Sequence, residues 1–150
     1  MGRGLMIVDN AKTRLLKAMQ GYKNPNWLPS NDELHTFSAL TTILFLYDPI
    51  GIQNALDFNF CIDNIYDEYD IEAAALMRCR QQWPDDSCLG HAIKEVLDHY
   101  FADSYPWEDC FFLAEQAMPS ITNKAVPINF VEIKKHMAER KHKWIKIEVD

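Results

Sequence analysis

The segment Asp67-Glu68-Tyr69-Asp70 places three carboxylates within four residues. Such carboxylates can divide general-acid and general-base work when burial separates their pKa values. It closes a longer stretch, Leu46 to Asp70, that carries Asp48, Asp57, Asp63, Asp67, Glu68 and Asp70 without one Lys or Arg. A second constellation is His91, Glu95 and His99 at i, i+4 and i+8. That spacing lines two imidazoles and a carboxylate along one helix face, and these are donors that a transition metal accepts. Both patterns have a plainer reading. Acids where a helix begins are stabilised by its macrodipole, and ligands spread over two turns of one helix cannot close a coordination shell alone. A solvated face opposite an apolar stripe accounts for the histidine spacing equally well. Residue types and spacing therefore favour structural or surface acids, and they assign no catalytic residue, no cofactor and no metal.

Other chemistries find less support. The sequence contains no G-x-S-x-G and no H-E-x-x-H, and Gly2, Gly4, Gly21, Gly51 and Gly90 never cluster into a phosphate-binding loop. Cys61, Cys79, Cys88 and Cys110 show neither a C-x-x-C pair nor zinc-finger spacing. They read as reduced thiols buried as small hydrophobes. Two alternatives stay open: a small metal-dependent or hydrolytic enzyme using the acidic segment with His91 or His99, and a non-catalytic adaptor subunit.

Charge is more informative. Residues 24–77 hold nine acids and no Lys or Arg, and residues 78–123 hold eight acids against three basic residues. The two ends are basic, so the net charge of −7 conceals an anionic centre between cationic termini. Such a centre repels nucleic acid and suits a basic protein. The lysine-rich segment from Lys134 to Lys146 is interleaved with Glu139 and reads as a solvated helix.

The elements that must position these residues are helical. "DNAKTRLLKAMQGY" carries Leu15, Leu16 and Met19 as a stripe, with Gly21 as its stop. Ser30 to Glu33 has the Ser-x-x-Glu pattern of a capping box, and it opens a continuously apolar helix that predicts the core element, ending at Asp48-Pro49. Asp48 is expected to be a turn residue. Further helices are predicted over "DIEAAALMRCRQQW", over "CLGHAIKEVLDHYFA" with Leu89, Ile93, Val96, Leu97 and Tyr100 buried, over "PWEDCFFLAEQAM", and over "INFVEIKKHMAERK". Ile145, Ile147 and Val149 alternate with charged residues, a pattern that admits a short β-strand at the C-terminus, with "LMIV" near the N-terminus as a weak partner. The expected fold class is mainly α, a single-domain bundle of about five or six helices over residues 1–150. With only Leu5 to Val8 as an apolar run near the start and no membrane-length segment, a cytoplasmic location is expected, with no membrane contact.

"LYDPIGI", followed by "DEYDIEAAAL" and a helix ending "IKEVLDHYF", resembles a family of small bacterial helical proteins that show Asp-Pro-Ile-Gly and then Asp-Glu-Tyr-Asp in the same order. The resemblance covers residues 34–101. It implies an immunity protein of the contact-dependent growth inhibition kind, whose partner is the C-terminal domain of a cognate toxin, expected to be a basic nuclease. On that reading Asp57, Asp63, Asp67, Glu68, Asp70 and Glu72 are the candidates to face the partner, with Tyr105 and Trp107 as aromatic anchors.

Overall fold

The hydroxyl of Ser30 accepts the backbone N–H of Glu33 at 3.1 Å, and the Glu33 carboxylate accepts the Ser30 N–H at 2.8 Å, closing the capping box that starts the central helix. The computed structural model describes residues 11–49 and 66–149. Asp57, Asp63, Cys61 and the N-terminal "LMIV" lie outside the described residues. Six helices are described: α1 (residues 11–18), α2 (Asn31–Tyr47), α3 (Asp70–Arg78), α4 (Asp86–Phe101), α5 (Trp107–Thr122) and α6 (Phe130–Val149). Single 3-10 turns, Tyr66–Tyr69 and Arg80–Gln82, precede and follow α3. The class is the helical bundle expected from periodicity.

α2 is the centre of that bundle, touching α3, α5, α6 and the turn before α3. Its apolar run leaves Phe37, Leu40, Ile43, Leu44 and Tyr47 without solvent exposure, and each such side chain stabilises the fold by roughly 1.5–3 kcal/mol on burial. α4 and α5 form an antiparallel pair that packs with unusually close backbones at Gly90. A Cβ there would stand 2.8 Å from Phe111 Cε1 and 3.2 Å from Phe111 Cα. Trp83 stops the segment after α3 by burying its indole completely and donating Nε1–H to the Leu76 carbonyl at 2.9 Å.

Asp48 ends α2 as a left-handed residue, φ 56°, with its N–H on the Leu44 carbonyl. Its carboxylate accepts the Tyr69 hydroxyl at 2.7 Å, tying the end of α2 to the turn before α3. Asp48→Ala is therefore expected to lower the unfolding free energy by about 1–3 kcal/mol, combining αL strain with a lost hydrogen bond. Asp48→Gly should recover only the backbone share. Denaturant titration of the three proteins checks both; identical stabilities would show that neither contribution operates.

Several boundaries differ from the sequence expectation; the helix expected over residues 70–83 ends at Arg78, with the 3-10 turn Arg80–Gln82 after it. α5 passes through Pro119 and ends at Thr122: the proline removes one helical donor, the N–H that would reach the Glu115 carbonyl, while Asn123 N–H still reaches Pro119 O and His35 Nε2 lies 2.6 Å from Ser120 O. A carbonyl only accepts, so His35 carries its proton on Nε2. The expected C-terminal strand does not form. Residues 145, 147 and 149 belong to α6. No Pro or Gly interrupts the chain from Phe130 onward, so a started helix continues, satisfying its own backbone groups where a lone strand would leave them unpaired.

Candidate partner-binding surface

The α4–α5 hairpin sorts its side chains by period. Leu89, Ile93 and Leu97 of α4 and Cys110, Leu113, Ala114 and Ala117 of α5 are buried. His91 and Glu95 of α4, and Trp107, Phe111 and Glu115 of α5, recur at i+4 along the outer edge of each helix. Both helices start cleanly: Asp85 accepts the Cys88 N–H at 2.8 Å, and Pro106 stands just before α5.

The edges meet in an aromatic cluster. The Trp107 and Phe111 rings lie nearly parallel at 22°, with centroids 5.8 Å apart. His91 stands edge-on to both, at 4.8 Å from Trp107 and 5.4 Å from Phe111. Trp107 remains 47% exposed, and His91 is exposed as well. Glu95, Glu108 and Glu115 are exposed on the same two helices. Lys94 is the one Lys or Arg between residues 81 and 123, and its charge is already engaged. Its ammonium sits 5.1 Å from the Trp107 ring centroid and donates to Asp98 at 2.8 Å and to the Tyr105 carbonyl at 2.6 Å. Burial pushes the Asp98 carboxyl up, but the Lys94 ammonium and the Tyr105 N–H outweigh it and hold it below the usual carboxylate range. An exposed indole is a side chain suited to protein contacts, and here Lys94 already places one cation against its ring.

The other expected contact residues fall elsewhere. Asp67 lies in the 3-10 turn and Glu68 is exposed there. Asp70 is turned inward: Arg14 clamps it with Nε and Nη2 at 2.9 and 2.7 Å, so it joins α1 to α3. Glu72 is 5% exposed and likewise buried. Tyr105, 6% exposed, is not an anchor on the surface; its hydroxyl donates to the Pro49 carbonyl at 3.1 Å and its ring meets Tyr47 and Phe101. Acidic residues lie at the surface on average, whereas a partner 56 positions away, such as Arg14 for Asp70 or the Pro49 carbonyl for Tyr105, is invisible to local pattern.

Glu72 has a measurable consequence. Its Oε1 has no hydrogen-bond partner among the described residues. Burial pushes its carboxyl above the ordinary 4.5, and the neighbouring charges of Asp70 and Glu68 push the same way. A raised folded pKa means the native state binds more protons than the unfolded one, so stability falls as pH rises from about 4.5 through the folded pKa. Glu72→Gln is expected to raise the melting temperature at pH 7 and to make little difference at pH 4. A variant less stable than wild type at pH 7 would show that the ionised carboxylate is compensated.

Phe111 and His91 complete the cluster without having been expected in it; the i, i+4 aromatic spacing of Trp107 and Phe111 was the available signal. A second feature left no signal at all. Asp109, 4% exposed, accepts the Tyr47 hydroxyl at 2.6 Å and lies 2.9 Å from His136 Nε2. His136 stacks on Phe112 at 4.0 Å and 9°. This knot joins α2, α5 and α6 through side chains in the interior.

His99 meets the Tyr100 ring and His91 the aromatic cluster, while Asp70 belongs to Arg14. Among the described residues no group of three His, Cys, Asp or Glu side chains is arranged to hold a metal ion. Cys79 and Cys88 are half-buried free thiols, and Cys110 is fully buried. No described helix is long and apolar enough to cross a membrane. Comparison with protein-family models, with curated proteins and with solved structures finds no match to this chain.

Proposed function

We propose that this chain is a binding protein that neutralises a basic partner: an immunity protein of the contact-dependent growth inhibition kind, acting in the cytoplasm on the C-terminal domain of a cognate toxin, a basic nuclease. The observation that carries this reading is the cluster of exposed Trp107 and His91 with half-buried Phe111, on two helices that also expose Glu95, Glu108 and Glu115 and whose Lys94 is engaged. An aromatic centre supplies affinity and an acidic rim supplies rate and selectivity. The anionic centre of the sequence adds long-range attraction for a cationic surface and competes with the nucleic acid that a nuclease would otherwise hold. Glu68 and Asp67 belong to that field; the anchoring contacts belong to the α4–α5 hairpin.

The test is co-expression with the toxin domain encoded beside this chain, followed by growth measurement and gel filtration of the purified pair. Protection of the cell and a 1:1 complex are expected. Association should slow with added salt, since the Debye length falls from about 10 Å at 0.1 M to about 3 Å at 1 M. Unprotected cells together with two separately eluting proteins would overturn the reading.

A further inference from the structure

We propose that the cleft where the ends of α1, α2, α3 and α5 converge binds a small amphipathic monocarboxylate, independently of the hairpin surface. The cleft has a volume of about 330 Å³, at the small end of the roughly 300–1,000 Å³ typical of ligand sites. At roughly 30 Å³ for each water-sized unit it takes about ten heavy atoms.

Its lining is divided by chemistry. Met19, Met77 and Ile121 supply an apolar wall, and Lys23 and Arg80 bring two cations to the same space. The carboxylates that also line it are already committed. Asp32 is paired with Lys124 at 2.7 Å, which holds its carboxyl below the ordinary range, and Glu33 is held in the capping box by the Ser30 N–H. Lys23 and Arg80 have no carboxylate partner among the described residues. Each is steadied by an indole instead: the Lys23 ammonium is 5.4 Å from the Trp27 ring centroid, and the Arg80 guanidinium is 4.1 Å from that of Trp83 while Nη1 donates to the Trp83 carbonyl at 3.1 Å.

Cations just beyond the C-termini of α1 and α3 suit the helix macrodipoles. That accounts for each position separately. It does not account for two cations without carboxylate partners lining one cleft beside two methionines in a chain of net charge −7. A carboxylate between them offsets their mutual repulsion and accepts from both, while its hydrocarbon part covers methionine side chains that adapt readily to irregular ligands.

Octanoate, with a carboxylate on a seven-carbon tail, is the probe. Protein labelled with ¹³C at the methionine methyls is titrated with octanoate, with 1-octanol, and with inorganic phosphate. Saturable movement of the Met19 and Met77 signals is expected with octanoate alone, with a Kd of about 1 mM or tighter. Lys23→Gln and Arg80→Gln, both on exposed side chains, should each raise that Kd about tenfold, Lys23→Gln with the melting temperature unchanged. Equal binding of octanol would remove the anion from the proposal, and binding of phosphate in place of octanoate would remove the apolar part. Unmoved signals with octanoate would overturn it entirely.

Discussion

Asp109→Ala is expected to lower the unfolding free energy by several kcal/mol, more than any substitution on the acidic surface. The reason is the number of groups that lose a partner at once. The Tyr47 hydroxyl is wholly inside the protein, and the His136 side chain is mostly covered between Phe112 and the bundle. Each buried donor left unsatisfied costs about 1–3 kcal/mol, and the space vacated adds a packing loss. Tyr47→Phe removes one of these hydrogen bonds while keeping the ring, so its effect should be the smaller of the two. Denaturant unfolding of wild type, Tyr47→Phe and Asp109→Ala checks the order. If Asp109→Ala unfolds within about 1 kcal/mol of wild type, water or a rearranged neighbour satisfies those groups, and the three-helix knot does not contribute as described.

The second large effect belongs to binding. In the proposed complex with a toxin domain, Trp107→Ala should weaken affinity by about 2–4 kcal/mol, a loss of roughly thirty- to a thousand-fold, as central tryptophans of interfaces do. The stability of the free protein should change little, because nearly half of the indole surface is already in water. The neighbouring acids are expected to act on a different quantity. Glu95→Lys together with Glu108→Lys should slow association at low salt and converge on the wild-type rate at high salt, whereas Trp107→Ala should mainly speed dissociation. Surface plasmon resonance at two ionic strengths separates the two. A Trp107→Ala protein that binds as tightly as wild type places the interface off the hairpin, even where protection of the cell is retained.

Local pattern was sufficient for the elements. The Ser30–Glu33 capping box, the uninterrupted apolar run that follows it and the Asp48-Pro49 stop are short-range signals, and each depends on atoms within a few residues of one another. Helix faces followed in part from the same periodicity: Leu89, Ile93 and Leu97 are buried as their spacing required, while Val96 and Tyr100, expected with them, are only half-buried. The alternation at the C-terminus misled because it is compatible with two periods, and the absence of a breaker within α6 decided between them.

What the sequence by itself determined, then, is the helical class, the identity of the central helix, the turn role of Asp48 and the uneven distribution of charge. Only the tertiary structure decided which acids face water. Asp70 meets Arg14 from α1 and Asp109 meets Tyr47 from α2, and these pairings bring together groups 56 and 62 residues apart, at distances no local periodicity encodes. The aromatic cluster has the same origin. Trp107 and Phe111 share a helix edge by their spacing, but His91 joins them because Gly90 lets α4 and α5 approach until a methyl group would no longer fit.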